Sequence, residues 1–388
     1  MLPVARKPLR TREVKRSMMK YAYFPGCSAN TTGKSFTVSA NYVAEKIGFE
    51  MVEIPDWNCC GTSAAALTSP ELAVALPARS LAISERELPG LDVMASCAGC
   101  YRSLKMSLAY ARESEANLAE VCELIDMPYE AKSDVVSLLE AFATDEAREA
   151  IAGKVQRKLR CLKVACYYGC AMVRPEEVFE CTNAEDPQEM DELMALIGAE
   201  PVDWAFKTEC CGAAQQMTIP AQAKPMIERI FQNAVANGAD CIVTSCPLCM
   251  LNLDMREAEI NKARVARGLE PFDIPCYYFT ELIGLAMGAS NEEVGIDIHF
   301  HPAERLLLQR ELDALELEEA EMAARAEEER KKAEMAAKIA AKKAEKAAKE
   351  KAAKEAAAKA AEEAAAKEAE ATAAPAAEAA VPEEGKEA

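Results

Sequence analysis

The sequence reads Cys27, then Cys59-Cys60-Gly61, then Cys97-Ala98-Gly99-Cys100 in its first half. The same order returns in the second half as Cys170, Cys210-Cys211-Gly212 and Cys246-Pro247-Leu248-Cys249. The gaps almost repeat, with 31 and 36 residues between the parts of the first copy and 39 and 34 in the second. Because order and spacing both recur, the pattern predicts a duplicated domain with a pseudo-two-fold relation.

The segments around these cysteines alternate between strand and helix patterns. Short apolar runs typical of strands precede the cysteines, at residues 21–24, 51–54, 91–95, 162–165, 201–206 and 240–244. Helical patterns lie between them, at residues 32–47, 62–68, 80–87, 100–121, 187–197, 221–237 and 247–267. Residues 274–283 predict a last strand and the start of a helix. We therefore expect an α/β fold with small, largely parallel sheets and the cysteines in loops at the carboxyl ends of strands.

The remaining segments set the expected domain boundaries. Residues 122–160 are polar and predict a helical bridge, with Ser133-Asp134 as a helix cap. Beyond Pro302 the chain is rich in Ala, Glu and Lys, which predicts a long solvated helix, and residues 306–317 are apolar enough to dock or form a short coiled coil. The expected division is a basic mobile arm (1–19), a first cysteine domain (20–121), the bridge (122–160), a second cysteine domain (161–301), a charged helical tail (302–370) and a disordered end (371–388).

Composition limits the class of protein. The 388 residues carry a formal net charge of −19 and a sequence pI near 4.8, which argues against a nucleic-acid binder. No apolar run approaches the ~18 residues of a membrane span, and the amino terminus lacks the apolar stretch of a secretory signal. A reducing, cytoplasmic location is therefore expected, where clustered thiols are more often metal ligands or catalytic groups than disulfides.

The combination of an adjacent cysteine pair with a CxxC favours a cluster with several iron atoms. Adjacent side chains diverge, so both sulfurs rarely reach one metal ion, whereas a cluster offers separate atoms. A CxxC at the first turn of a helix lets two thiolates converge near the positive end of the helix dipole. Five thiolates exceed the four of a standard cubane cluster, so the pattern indicates either an unusual cluster or one cysteine free for catalysis.

Other interpretations of the cysteines remain open. A structural zinc protein with a helical interaction tail is disfavoured, because the two CxxC units are 149 residues apart. Cys166 lies four residues before Cys170 and competes with it as a ligand. Buried, inert thiols are expected for the other cysteines outside the pattern, namely Cys122, Cys161, Cys181, Cys241 and Cys276.

The repeated C…CCG…CxxC pattern over residues 20–285 resembles the CCG-domain family, and a chain with two copies resembles its heterodisulfide reductase B subunits. The resemblance implies two noncubane 4Fe-4S clusters that face a shared cavity, where a substrate disulfide is cleaved in two one-electron steps. One cluster would be held by Cys27, Cys59, Cys60, Cys97 and Cys100. The other would be held by Cys170, Cys210, Cys211, Cys246 and Cys249, since the 39-residue gap after Cys170 suits the family spacing better than a gap from Cys166.

The resemblance also implies partners and a proton donor. The chain lacks a GxGxxG after a strand and a CxxCxxCxxxCP run, so a flavoprotein A-like subunit and a C-like ferredoxin subunit would supply those functions. Archaeal members tend to carry His beside the second Tyr-Gly-Cys, but the two histidines here, His299 and His301, lie outside both repeats and are expected at the surface. Tyr167, Tyr168 or a water would then donate protons.

The resemblance leaves a second function open. The same domains serve as non-catalytic electron-transfer or anchoring subunits of succinate, lactate or glycolate oxidising complexes. The missing histidines and the long tail favour this alternative, and a succinate dehydrogenase-type flavoprotein partner would support it.

Overall fold

The computed structural model describes residues 19–62, 64–179, 181, 183–215 and 219–371. The expected mobile arm (1–19) and disordered end (371–388) lie outside these residues except for Met19 and Ala371. The chain divides into one compact unit that ends at Leu315 and a second that begins at Glu316.

The first sheet has four parallel strands in the order β2-β1-β3-β4. The strands are β1 (Lys20–Phe24), β2 (Glu50–Glu53), β3 (Val93–Ala95) and β4 (Val135–Ser137). The helices of this half are α1 (Lys34–Ile47), α2 (Ala64–Thr68), α3 (Pro70–Glu87), α4 (Ala98–Glu113), α5 (Glu115–Ile125), α6 (Leu138–Phe142) and α7 (Asp145–Ala152).

The second sheet repeats this topology with four parallel strands in the order β6-β5-β7-β8. The strands are β5 (Lys163–Tyr167), β6 (Glu200–Pro201), β7 (Cys241–Thr244) and β8 (Cys276–Tyr278). The helices are α8 (Glu176–Phe179), α9 (Glu189–Leu196), α10 (Pro220–Ala236), α11 (Pro247–Ala266), α12 (Phe279–Ala286) and α13 (Asn291–Val294), with 3-10 turns at Cys170–Met172 and Ile296–Ile298. The predicted α/β fold with two pseudo-symmetric sheets is confirmed.

Several elements differ from the sequence-based expectation. Residues 122–160 are not helical throughout, because Val135–Ser137 forms β4 and Val135 pairs with Val93 in the sheet interior. The expected helix over residues 100–121 is split, since Ser114 leaves the helical region and its hydroxyl accepts a hydrogen bond from the Asn117 N–H. Strand β6 is only two residues long.

Helices α1 and α12 join the two halves through a buried aromatic and hydroxyl contact. The ring of Phe36 stacks on Tyr278 with centroids 4.3 Å apart, and Phe279 meets Phe36 edge-on at 5.9 Å. The Ser39 and Thr280 hydroxyl oxygens lie 2.6 Å apart, and both side chains are fully buried. Core residues of both sheets therefore form one continuous apolar cluster.

Helix α14 (Glu304–Ala371) begins on the first unit. Leu306 and Leu307 pack against the apolar core, and Arg310 lies 3.3 Å from Asp240. These contacts confirm docking for the beginning of the predicted 306–317 segment, whereas Leu308 is 61% exposed.

The continuation of α14 in the second unit confirms the predicted solvated helix. Side chains from residue 322 to 368 are exposed, and ion pairs at i,i+4 spacing such as Glu345–Lys349 (2.7 Å) line the helix. Across the helices described above, none has both the length and the apolar content needed to cross a membrane.

Candidate functional site

The ten patterned cysteines lie in loops and first helical turns at one end of the two sheets. Cys97 ends the loop after β3 and is the N-cap residue of α4, and Cys246 has the same place between β7 and α11. The carboxyl ends of parallel strands meet at the same edge of a sheet, so loops distant in sequence converge there.

The first cysteine set is open to solvent at one end. The sulfurs of Cys60 and Cys100 are 3.3 Å apart, and Cys60, Cys97 and Cys100 are buried. Cys27 and Cys59 are exposed residues, but the thiol of Cys27 is partly buried. This partial burial, and next the neighbouring Cys59 thiol, raises the pKa of Cys27. The hydrogen bond with Cys100 lowers the pKa of Cys60 to about 7. All five thiols of this set therefore lie within one network.

The second set converges in the same way. The sulfurs of Cys211 and Cys249 are 3.6 Å apart, and the backbone N–H of Gly212 donates to the Cys210 sulfur at 3.3 Å. A hydrogen bond with Cys170 lowers the pKa of Cys210 to about 6. Cys246 is held by hydrogen bonds with Cys249 and, next, Cys97, which keep its pKa well below the usual value.

The two sets meet where α4 and α11 begin. The thiols of Cys97 and Cys246 are hydrogen-bonding neighbours, and their residues are only 3% and 2% exposed. A Cβ added to Gly99 would lie 3.3 Å from Leu248 Cδ1, so the two CxxC turns pack directly against each other. We call the place where Cys97 faces Cys246 the seam.

A glycine follows each cysteine pair in a conformation that favours glycine. Gly61 has φ of +72° and Gly212 has φ of +75°. A Cβ at Gly61 would lie 2.7 Å from Ala65 Cβ and 2.8 Å from Leu76 Cδ1. The backbone therefore packs closely against helices α2 and α3 just beyond the first pair.

Cys166 and Cys170 belong to different environments. The Cys166 thiol is fully buried, and burial, followed by the charge of Asp191, raises its pKa well above the usual value. Cys170 is instead hydrogen-bonded to Cys210. The structure thus brings Cys170 into the second set and leaves Cys166 beside Asp191.

Tyr167 and Tyr168 also point to different surroundings. The Tyr167 hydroxyl donates to the carbonyl oxygen of Glu209 at 2.6 Å, and its pKa is raised well above the usual value by burial and then by the charge of Cys211. The Tyr168 hydroxyl donates to Asp191 at 2.7 Å, and Asp191 pairs with the buried Lys207 at 2.9 Å. Tyr167 is therefore the tyrosine that adjoins the second cysteine set.

The histidines are not at the surface, so that expectation was wrong. His299 has a side chain 3% exposed, with Nε2 2.8 Å from the buried Glu281 carboxylate. His301 Nδ1 lies 2.7 Å from Glu257, which is also buried. Buried carboxylates on α11 and α12 hold the two imidazoles, although Phe300 between them is 65% exposed.

The sequence pattern did not single out Tyr278, although it adjoins the seam. Its pKa is raised well above the usual value by burial, then by the charge of Glu281, Cys246 and Cys97. The internal repeat could have drawn attention to this residue. Tyr278 has the same place in its sheet as Ser137 in the first half, and Glu281 has the same place in its helix as Glu140.

The donor chemistry of the two sets fits iron–sulfur clusters. Each set offers five thiols joined through neighbouring cysteines, and thiolate is the usual protein ligand of such clusters. In the described ranges, no group of three or more His, Cys, Asp or Glu side chains is arranged to hold a single metal ion.

Comparisons with known proteins agree with this arrangement. A model of the family CCG, described as a cysteine-rich domain, matches residues 21–105 and 164–254. The 8-methylmenaquinol:fumarate reductase membrane anchor subunit of Wolinella succinogenes is 30% identical over 74% of this chain and 99% of its own length. The B subunit of the ferredoxin/F(420)H(2)-dependent CoB-CoM heterodisulfide reductase of Methanosarcina acetivorans is 28% identical over 72% of this chain and 93% of its own.

A solved structure shares the fold alone. The crystal structure of a hypothetical protein from Helicobacter pylori superposes with a TM-score of 0.57 at 14% identity, over 73% of this chain and about half, 52%, of that one. Both cysteine domains match the family model, and the Wolinella relative is similar over almost its whole length. The chain therefore belongs to the CCG family of cysteine-rich-domain proteins.

Proposed function

We propose that this chain is the iron–sulfur subunit of an oxidoreductase complex and that each cysteine set holds one 4Fe-4S cluster of the noncubane type. The first would bind Cys27, Cys59, Cys60, Cys97 and Cys100, and the second Cys170, Cys210, Cys211, Cys246 and Cys249. The observation that best supports this proposal is the seam, where the buried thiols of Cys97 and Cys246 bring the two cysteine sets together.

Two helices, α4 and α11, begin at the seam. The positive ends of α4 and α11, where Cys97 and Cys246 are the N-cap residues, favour negative charge at the seam. Clusters bound there would supply one-electron oxidation and reduction. Tyr167 is the candidate to hold and donate a proton, because it adjoins the second set, whereas the Tyr168 hydroxyl lies beside Asp191.

The proposed substrate is a disulfide in a heterodisulfide reductase-like complex. Two electrons and two protons convert one disulfide into two thiols, and two one-electron groups at one seam suit that stoichiometry. The similarity to the Methanosarcina protein supports this interpretation, because that protein is the B subunit of a heterodisulfide reductase. A C-like ferredoxin subunit and a flavoprotein A-like subunit would deliver the electrons.

A second candidate is a non-catalytic electron-transfer or anchoring subunit of an organic-acid oxidoreductase such as a succinate, lactate or glycolate oxidising complex. It is favoured by the Wolinella relative, a fumarate reductase membrane anchor subunit similar over 99% of its length. In this role the same seam would pass electrons without binding a substrate.

The test begins with the metal content of protein purified without oxygen. We expect about eight irons per chain. Cys246→Ser should lower the content by about half, while Cys122→Ser, whose thiol donates to the Tyr129 carbonyl, should leave it unchanged. Zinc without iron would contradict the proposal.

The two candidates are then separated by activity in the purified complex. Reduction of a disulfide by the assembled complex, lost in Tyr167→Phe, would support the reductase. Oxidation of succinate, lactate or glycolate by a co-purifying flavoprotein, with no disulfide turnover, would support the electron-transfer subunit.

A further inference from the structure

The part of α14 that lies in the second unit separates its charges along its length. Residues 316–329 carry seven glutamates and one arginine, which gives a net charge of −6. Residues 330–343 form a stretch of the same length with six lysine or arginine residues and one glutamate, which gives a net charge of +5. We call these stretches the acidic half and the basic half. Evenly mixed charges would keep an exposed helix soluble equally well, so the separation calls for another explanation.

Ion pairs within the helix use only some of these charges. Pairs at i,i+4 spacing, such as Glu327–Lys331 at 2.7 Å, lie near the boundary between the two halves. Four side chains farther from the boundary have no ion pair in the part of the chain that the structure describes: Glu316 and Glu319 in the acidic half, and Lys342 and Lys343 in the basic half. These outer charges are available to a partner.

One side of the helix is apolar along both halves. At about 100° per residue, Met322, Ala326, Ala333, Ala337 and Ala340 lie within about a quarter of the helix circumference. Met322 is 63% exposed, and the four alanines are exposed as well. A single copy of the second unit therefore leaves this apolar face in water, between the two oppositely charged halves.

The partner that matches both features is a second copy of this helix running in the opposite direction. In an antiparallel pair the acidic half of each chain lies along the basic half of the other, so opposite charges meet at both ends of the contact. The large Met322 side chain of each chain then faces the small alanines of the other chain's basic half. A parallel pair in register would instead place glutamates beside glutamates and lysines beside lysines, which is unfavourable.

We propose that the chain forms a homodimer through antiparallel pairing of α14 over residues 316–343, centred between Glu329 and Arg330. The charge complementarity of the two halves sets the direction of the pair, and the apolar face forms the contact between the helices. The dimer joins two copies of the unit that bears the cysteine sets. This pairing does not depend on what the cysteine sets hold, so it stands apart from the proposed function.

The test measures the mass of the full-length protein in solution by sedimentation velocity over a range of concentrations, under reducing conditions so that thiols cannot cross-link the chains. The first variant combines Lys342→Glu with Lys343→Glu and places glutamates opposite the acidic half. The fourfold variant adds Glu316→Lys and Glu319→Lys, which restores opposite charges across an antiparallel pair but not across a parallel one. Circular dichroism compares the helix content of all the proteins.

The matched control combines Lys359→Glu with Lys367→Glu, which makes the same change of charge as the first variant but outside the paired segment. We expect dimers of the wild type, the control and the fourfold variant, and a dissociation constant at least about tenfold higher for the first variant. The wild-type dimer should also weaken as the salt concentration rises from about 0.05 M to about 1 M, because exposed charges are then screened.

Three outcomes would overturn the inference. The first is a wild-type protein that stays monomeric at every concentration, including one that instead binds vesicles of anionic phosphatidylglycerol through its lysines. The second is a dimer that the first variant leaves unchanged, because the contact would then lie on another surface. The third is a fourfold variant that dimerises no better than the first variant, because the pair would then not be antiparallel.

Discussion

Gly61 illustrates how a single residue lets the first cysteine pair lie close to its helices. Its φ of +72° and the 2.7 Å approach of Ala65 both require a residue without a side chain. We predict that Gly61→Ala lowers the free energy of unfolding by about 1–2 kcal/mol for the left-handed conformation and by about 1–3 kcal/mol more for overpacking. Chemical denaturation gives the value.

Gly90→Ala is the matched control. Gly90 has φ of +82° but nothing within 4 Å of an added Cβ, so it should cost only the conformational part. Equal losses in the two variants would mean that close packing beside the cysteine pair is unimportant.

His301 gives the protein a pH-dependent contribution to stability. The hydrogen bond with Glu257 raises its pKa above the usual value. A pKa that is higher in the folded state stabilises the protein fully below the unfolded pKa of about 6.5, and the contribution is lost as the pH rises through the folded pKa. We predict that His301→Gln destabilises most near pH ~6 and progressively less above ~6.5.

The check is a series of denaturation curves for both proteins at several pH values. The difference in free energy of unfolding should shrink with rising pH. A difference that grows toward alkaline pH would contradict the assigned ion pair. Glu257 is 1% exposed, so screening by salt should alter the difference little.

At the scale of single residues, the location of the cysteines could be predicted from the sequence, whereas the burial of the histidines could not. Adjacent cysteines and CxxC are local patterns, so their loops could be located from sequence. The burial of His299 depends on Glu281, whose position follows from the packing of α12 and not from its neighbours in sequence. Likewise, the separation of Cys166 from Cys170 arises from the turn after β5.

At the scale of elements, the contact of α1 with α12 unites the halves. The Ser39 and Thr280 hydroxyls are 2.6 Å apart in the interior, and each belongs to a different half. We predict that Ser39→Ala costs about 1–3 kcal/mol, because it leaves the buried Thr280 hydroxyl without this partner. Thr280→Val should cost less, because the Ser39 hydroxyl keeps its hydrogen bond to the Phe36 carbonyl at 3.1 Å. The double variant should cost less than the sum, with a coupling energy of about 0.5–3 kcal/mol.

Equilibrium denaturation of the four proteins in this cycle measures the coupling. Additive losses would mean that the two helices are not energetically linked through these hydroxyls. The single variants should retain a single unfolding transition, since the core is continuous across the halves.

Elements with a strong local period were predicted well, and those made by tertiary context were not. Helix α11 was expected over residues 247–267 and spans Pro247–Ala266. Strand β4 has only three residues, and its Val-Val-Ser sequence is stabilised as a strand by pairing with β3 and by burial. The residues on both sides of β4 have a helical pattern, so the sequence did not reveal the short strand between them.

At the scale of the whole molecule, the order of α/β elements was predictable because the repeat fixes it. The extent of the tail was also clear from composition, since a segment of Ala, Glu and Lys has little to bury. Which leucines dock was not clear, because Leu306 and Leu308 differ only in the side of α14 that they occupy.

This difference predicts where the chain can be shortened. A chain that ends at Leu315 keeps the docked turns of α14, so its thermal midpoint and iron content should equal those of the full chain. A chain that ends at His301 loses the packing of Leu306 and Leu307, the Arg157–Glu311 ion pair and the Ala303 acceptor of Tyr277. Since the leucines are half-buried and the Tyr277 hydroxyl becomes unpaired, the loss should be on the order of 2–4 kcal/mol. Calorimetry of both truncations decides this, and equal midpoints would mean that the start of α14 contributes nothing to the unit that holds the cysteines.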